Sequence, residues 1–335
     1  MKDITIKDIA NRAGVSISTV SRVINNNYPV RREVRETVEA VMRELDYHPN
    51  AVARSLRKNQ TNLIALVVAD LSNHFFMELA KGLELEISKL GYQLVIASSG
   101  GDAHKERRLI DSLVEQRING LVIATSDSQG EKIQKCLNLG IPVVLVDRAI
   151  QGITTNQILW NDFDTSYKLT KLLTDYGHRR IAIVNVMLTN PTGYNRLSGF
   201  KQAMKDAQIS DSDMYISPSN FSEDHAYEYI MEVLKLDQPP TAIYCANNIM
   251  LEGTLRALRE SGKQIYEDIS VVAFGNLICN KYISPIITSM NQNSLEMGGR
   301  AGEILIAAIA GKQNYSTQLT MESELVKGGS VKRIN

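Results

Sequence analysis

Apolar positions recur at three- and four-residue steps in three short blocks at the start of the chain, and each block predicts a helix. Ile6, Ile9, Ala10 and Ala13 make the inner stripe of a first helix that Thr5 can cap and Gly14 can end. After a tight turn, Ser16 can cap a second helix in which Val20, Val23 and Ile24 face inward, leaving Ile17, Ser18, Ser21 and Arg22 facing outward. A third stripe, Val34, Val38, Val41 and Leu45, predicts a helix over 32–46 that closes a three-helix core. The first two helices have helix-turn-helix spacing.

From Thr61 the pattern changes to short apolar runs separated by helical stretches. Runs at 64–68, 93–97, 120–124 and 141–146 alternate with helices and predict a parallel, doubly wound sheet. A second series begins near Gly177, with runs at 180–186, 214–218, 241–246 and 269–274 and helices from about Arg196, around Tyr227 and through Leu258. Two such sheets imply two lobes with a cleft between them. Small ligands bind these sheets at the carboxyl ends of their strands. The expected fold class is therefore an all-α helix-turn-helix head in front of a two-lobed α/β body.

Composition adds little until it is read by segment. At 335 residues, with 44% apolar and 22% charged, the chain is ordinary globular material for two or three domains. Its net charge is zero, but residues 1–60 hold 11 basic against 7 acidic side chains, a surplus of +4 that the remainder offsets. Cys136, Cys245 and Cys279 are odd in number and without CxxC spacing, which points to reduced thiols and a cytoplasmic location. The N-terminus lacks the apolar run of a signal peptide, and the longest apolar runs are of strand length.

The outward face of the second helix carries the chemistry. Short hydroxyls let a helix approach DNA closely and bond phosphates, and an arginine can reach a guanine edge. Three-helix units with polar second helices also serve as protein-binding modules, so spacing alone leaves both readings open.

The stretch TIKDIANRAGVSISTVSRVIN, followed by YHPNAVARSL, resembles the head of the lactose/galactose repressor (LacI/GalR) family of bacterial transcription regulators. The resemblance implies that Ile17, Ser18 and Arg22 read base edges, and that Thr5, Ser16, Thr19, Ser21 and Asn25 belong to the same DNA surface. It further implies a hinge over 50–56 with Asn50, Ala53 and Arg54, in which Leu56 wedges into a minor-groove step. The alternative for Leu56 is a linker leucine packed on the body. Arg57 and Lys58 would add phosphate contacts. Further segments, among them DLSNHFF, NRLSGF, EDISVVAF and ELVKGGS, stand in family order. The implied organisation is a head at 1–48, a hinge at 49–60, one lobe at 61–175 with 292–320, and another at 176–291 with 321–335, the chain crossing between lobes three times. A homodimer is expected, without the leucine heptads that make some members tetramers.

The family resemblance places Asp70, Ser72, Asn73, Phe75, Phe76, Arg148, Asp164, Arg196, Asn247, Gly275, Asn276 and Gln292 around the effector, with Phe75 and Phe76 equally suited to the core. Arg196 is read as standing at a loop-to-helix junction, where guanidinium and free amides jointly hold ligand oxygens. Two departures from the family pattern stand out: Asn248 where an aspartate is usual, and Gly275 where an aspartate accepts bonds from sugar hydroxyls. Arg148 and Arg196, with His74 or Lys281 nearby, would then face few carboxylates. That favours an anionic sugar derivative from a carbohydrate catabolic pathway, such as a sugar acid or sugar phosphate. The alternative is a neutral sugar held by Asn247, Asn276 and Gln292.

Enzyme chemistry is missing from the sequence. SSGGD at 98–102 is neither a P-loop nor GxGxxG, the five histidines show no metal spacing, and no serine sits in a GxSxG elbow. No cofactor is expected. A transport binding protein would share the body but carry an export signal and no basic head. The expectation is a dimeric repressor on a pseudo-palindromic operator, answering to a small sugar-type effector.

Overall fold

A computed structural model describes residues 4–25, 28–47, 61–185, 188, 190–218, 222–312 and 316–334. Asn50, Ala53, Arg54, Leu56, Arg57 and Lys58 lie outside the described residues. The chain divides into two compact units, 1–61 and 62–335.

The first unit is three helices, α1 (Ile6–Ala13), α2 (Ile17–Asn25) and α3 (Arg32–Glu44). Ile9, Ala10, Val20, Val23, Val38 and Val41 form its buried core. Asp8 reaches back to Thr5, accepting from its backbone N–H at 2.8 Å and from its hydroxyl at 2.7 Å, which fixes the start of α1. Gly14 ends that helix at φ 67°, a left-handed cap available to glycine without a Cβ penalty. The third helix stops two residues earlier than the stripe suggests, because Asp46 takes φ 49°.

The second unit holds two six-stranded sheets. The first contains β1 (Leu63–Val68), β2 (Gln93–Ser98), β3 (Gly120–Ile123), β4 (Val143–Val146), β5 (Asn156–Trp160) and β11 (Gln318–Met321), in the order β11-β5-β4-β3-β1-β2, all parallel. The second contains β6 (Ile181–Val184), β7 (Met214–Ile216), β8 (Ala242–Cys245), β9 (Ser270–Phe274), β10 (Thr288–Asn291) and β12 (Glu324–Val326), in the order β12-β10-β9-β8-β6-β7. Only the β10–β12 pair is antiparallel. Central strands such as β3 and β8 are buried along their whole length, as expected for strands covered on both faces.

Between the strands lie α4 (His74–Ile87), α5 (Ala103–Glu115), α6 (Glu131–Asn138), α7 (Asp162–Asp175), α8 (Pro191–Asp206), α9 (Glu223–Val233), α10 (Asn248–Glu260) and α11 (Ser294–Ile309). Glycine sets the closest helix contact: a Cβ on Gly298 would meet the Leu79 carbonyl oxygen at 1.9 Å, and one on Gly82 the Leu295 oxygen at 2.0 Å, so α4 and α11 pack backbone to backbone. No helix among the described residues is long and apolar enough to cross a membrane.

The chain passes between the sheets three times, after β5, after β10 and between β11 and β12. Helix α7 falls on the other side of the first crossing from the expected 175/176 boundary. Leu169 and Leu173 pack with Ile181, Phe200, Phe274 and Met290 in the core of the second sheet. The apolar stripe of α7 completes that core, so the crossing comes at Asn161, one helix earlier. Strand β5 and helix α7 themselves went unread in the sequence.

Candidate functional site

In the head, α2 exposes its polar face. Ile17 is 41% exposed, and Ser18 and Arg22 are exposed beside it. Ser16 accepts the Thr19 amide at 3.1 Å, and its hydroxyl lies 2.7 Å from the Ser18 hydroxyl and 2.8 Å from that of Thr19. Three hydroxyls thus gather at a helix N-terminus, where amide donors and the helix dipole favour an anion. The Arg22 guanidinium lies 5.6 Å from the Tyr28 ring centroid. Asn25 closes α2, and its side chain lies outside the described residues.

In the body, a cleft of about 410 Å³, partly open to solvent, is lined by Asn73, Phe75, Phe76, Asp147, Arg148, Asn190, Thr192, Arg196, Asn247, Asn248 and Gln292. Three helices start there, each capped by an asparagine. Asn73 caps α4 by accepting the Phe75 amide at 3.0 Å, Asn190 caps α8 through the Thr192 amide at 3.0 Å, and Asn247 caps α10 through the Met250 amide at 2.7 Å. The Asn73 oxygen also accepts Asn248 Nδ2 at 3.1 Å, joining the start of α10 to the start of α4 across the cleft.

Arg196 is the most constrained residue of the site. It is 6% exposed, donates through Nε to Asp162 at 2.8 Å and through Nη1 to the Ala246 carbonyl at 2.8 Å, and lies 3.8 Å from the Phe274 ring centroid. Its backbone carbonyl accepts the Ser166 hydroxyl at 2.5 Å. Burial pushes the Asp162 carboxyl up to about 6 against the opposing pull of Arg196. Burial likewise works against the arginine's charge, but Asp162 and Asp147 hold its pKa above the ordinary value. Arg148 donates to the Thr125 carbonyl at 3.1 Å and lies 3.5 Å from Asp147. Asp147 holds φ 65° at the end of β4, a conformation costly for a residue other than glycine. Arg148 meets Asp147 through Nε without a hydrogen bond, and Gln292 Nε2 is buried without an acceptor among the described residues.

A family profile described as bacterial regulatory proteins, lacI family, matches residues 5–50, and one described as periplasmic binding proteins and sugar binding domain of LacI family matches residues 61–327. The HTH-type transcriptional repressor PurR of Vibrio atlanticus (strain LGP32) is 35% identical over 333 residues, 99% of each chain. The chain belongs to the LacI family. PurR of Vibrio vulnificus (strain CMCP6) is 36% identical over 333 residues, again 99% of each chain. The structure of the lac repressor dimer bound to operator and the anti-inducer ONPF superposes with a TM-score of 0.86 at 27% identity, covering 99% of this chain and 100% of that one. As a LacI-family member the chain is a ligand-responsive, DNA-binding transcriptional repressor and not an enzyme.

Of the positions that the family pattern suggested, Asn73, Phe75, Phe76, Arg148, Arg196, Asn247 and Gln292 converge on the cleft. Phe76 is also core, 2% exposed, and meets Phe75 edge to face with ring centroids 5.1 Å apart. Gly275, at φ 115°, is not itself in the lining, but a Cβ on it would stand 3.8 Å from Asn248 N and from Gln292 Oε1. Other suggested positions stand off the lining. Asp70 folds back on Ser72, accepting its amide at 2.9 Å, and so shapes the turn before Asn73. Asp164 pairs with Lys168 at 2.5 Å, and Asn276 and Lys281 are exposed. His74 faces Glu78 at 3.6 Å.

Arg196 lies in the second turn of α8, since Asn190 and Pro191 open that helix earlier than expected. It is not a residue of a loop-to-helix junction. An Asn-Pro pair is a helix-start signal that the sequence displayed. Asp147, Asp162, Asn190 and Thr192 are the residues that reading missed. Asp147 directly follows an apolar run, so the strand-end rule could have found it. Asp162 had no such signal, because the strand before it went unrecognised.

Proposed function

We propose that this repressor acts as a homodimer in the cytoplasm, its two heads reading the half-sites of a pseudo-palindromic operator through Ile17, Ser18 and Arg22. The lac repressor structure, a dimer on its operator, supports the reading. Ser16, Thr19, Ser21 and Asn25 hold phosphates, Thr5 sits at the edge of the same surface, and the hinge residues Asn50, Ala53, Arg54 and Leu56 add minor-groove contacts. A small sugar-type effector occupies the cleft between the two sheets of the body.

The observation that carries the effector assignment is the Arg196 guanidinium at the cleft wall, with Nε and Nη1 occupied and Nη2 left without a partner among the described residues. The amides of Asn190, Asn247 and Gln292 complete a hydroxyl-binding wall, and Phe75 supplies an apolar face. An effector changes operator affinity only by preferring one lobe arrangement, a coupling of about 1–3 kcal/mol in typical cases.

Arg148 and Arg196 are matched by Asp147 and Asp162, so these two arginines do not by themselves distinguish a sugar acid from a neutral sugar. The test is fluorescence anisotropy on DNA from the gene's own upstream region, titrated with sugar acids, sugar phosphates and neutral sugars. A compound that shifts affinity by fivefold or more supports the reading. Specific operator binding unmoved by every compound, with none protecting the cleft from hydrogen exchange, removes the effector assignment.

A further inference from the structure

The chain joins its two sheets at three crossings, so the angle between the lobes depends on what meets across the cleft. One side-chain hydrogen bond does so at the cleft wall: Asn248 Nδ2 donates to Asn73 Oδ1 at 3.1 Å. Asn73 stands at the start of α4, beside the first sheet, and is 5% exposed. Asn248 is the first residue of α10, beside the second sheet, and both residues line the cleft.

The polarity of this bond is fixed from both walls. Asn73 Oδ1 also accepts the Phe75 amide at 3.0 Å, and turning the side chain over would set an NH2 against that N–H and strip the cap from α4. Asn73 therefore accepts, and Asn248 must donate. Asn247 already caps α10 through the Met250 amide at 2.7 Å, which leaves the Asn248 side chain to reach across. An aspartate at 248 would bring two acceptors face to face. Charge adds a second tie: Asp147, at the end of β4, helps hold the Arg196 charge from the opposite wall, although the ion pair of that arginine is with Asp162 on its own side.

We propose that the Asn73–Asn248 bond is a latch that holds the two lobes at one angle and so sets operator affinity before any effector acts; this rests on lobe arrangement governing operator affinity, as proposed above. The experiment takes the full-length protein with no sugar added, as wild type, Asn248→Ala and Asn248→Asp, the last an acid that a first helical turn accommodates. Two signals are read. One is the emission of Trp160, the single tryptophan, 4% exposed and next to the first crossing at Asn161. The other is anisotropy on DNA from the gene's own upstream region. Both variants should shift the emission in the same sense and change operator affinity by about threefold or more, the size of one neutral hydrogen bond, with aspartate exceeding alanine. A second background, Asn73→Ser, keeps a cap on α4 but is too short to span the cleft, and there Asn248→Ala should add nothing further. Emission and affinity unchanged in both Asn248 variants, or an Asn248→Ala effect as large in Asn73→Ser as in wild type, overturns the latch. If a sugar still moves the operator affinity of the wild type in that case, the effector reading stands without it. Emission that shifts with the expected coupling while operator affinity stays fixed does the reverse, leaving a latch between the lobes and removing their control of the operator.

Discussion

The head and the cleft each depend on an arginine, and the two are in opposite physical states. Arg22 is exposed on α2, with only the Tyr28 ring near its guanidinium and no ion pair among the described residues. Arg196 is sealed among Asp162, the Ala246 carbonyl and Phe274. The first keeps its charge for a partner that arrives from outside, so its loss should be felt in binding and hardly in folding. The second has its charge neutralised inside the fold, so it contributes position and rigidity, and its loss leaves a buried carboxylate unpaired.

The largest expected effect follows from that contrast. Arg196→Ala should destabilise the body by about 3–5 kcal/mol, the usual cost of stripping one partner from a buried ion pair, whereas Arg22→Ala should leave the urea midpoint of the body unchanged. A double variant, Asp162→Leu with Arg196→Met, should recover much of the loss, because a filled apolar site tolerates removal of both charges better than of one. If Arg196→Ala unfolds at the wild-type midpoint, the pair is not part of the scaffold and the contrast between the two arginines collapses.

The same pair makes stability depend on pH in a direction opposite to most carboxylates. Asp162 titrates near 6 in the folded chain against 3.8 for an unperturbed group. Between those values the folded state holds a proton that the unfolded state has released, so stability falls as pH rises from about 4 to about 6. The contribution is up to about 3 kcal/mol. Urea unfolding at pH 4.5 and 6.5 measures it, and Asp162→Asn should flatten that component. A difference between the two pH values that is identical in the variant would place its origin elsewhere.

Head and cleft also differ in how much of each is legible in the sequence. The proposed DNA face lies on one nine-residue helix, where the period of Val20, Val23 and Ile24 fixes which side Ser18 and Arg22 occupy. The cleft is assembled from five segments spread between Asn73 and Gln292, and periodicity is silent about which of them meet. Family order supplied Asn73, Arg148, Arg196, Asn247 and Gln292, but it misjudged Asp164 by two positions. The carboxylate that matters is Asp162, one residue past the Asn161 cap and turned inward onto Arg196, while Asp164 faces Lys168. A one-turn helix start rotates side chains by about 100° per residue, so a two-residue error moves a charge from core to solvent. Asp162 was hidden with its unread strand and helix, whereas Asp147 stood in view at the end of an apolar run, and with both overlooked the arginines looked unopposed.

On the DNA side, Arg22→Ala should weaken operator binding by about 1–3 kcal/mol and relax base preference at one position of each half-site. Competition binding against operators varied one base pair at a time checks this. A uniform loss across all sequences would assign Arg22 to phosphate and leave base reading to Ile17 and Ser18.

Ser16 gives the smallest effect and tests the contrast at its weakest point, since here one side chain of the proposed DNA surface also caps a helix. Its hydroxyl caps α2 through the Thr19 amide and also joins the Ser18 and Thr19 hydroxyls at the surface. Ser16→Ala should therefore cost the head about 1 kcal/mol, read as faster hydrogen exchange of the α2 amides with the body unaffected. Operator affinity should fall by a similar factor on every sequence, because a phosphate contact carries no base information. A changed base preference in this variant would mean that the cap also sets the angle at which α2 enters the groove, and then folding and reading could not be separated in the head even though they separate at Arg22.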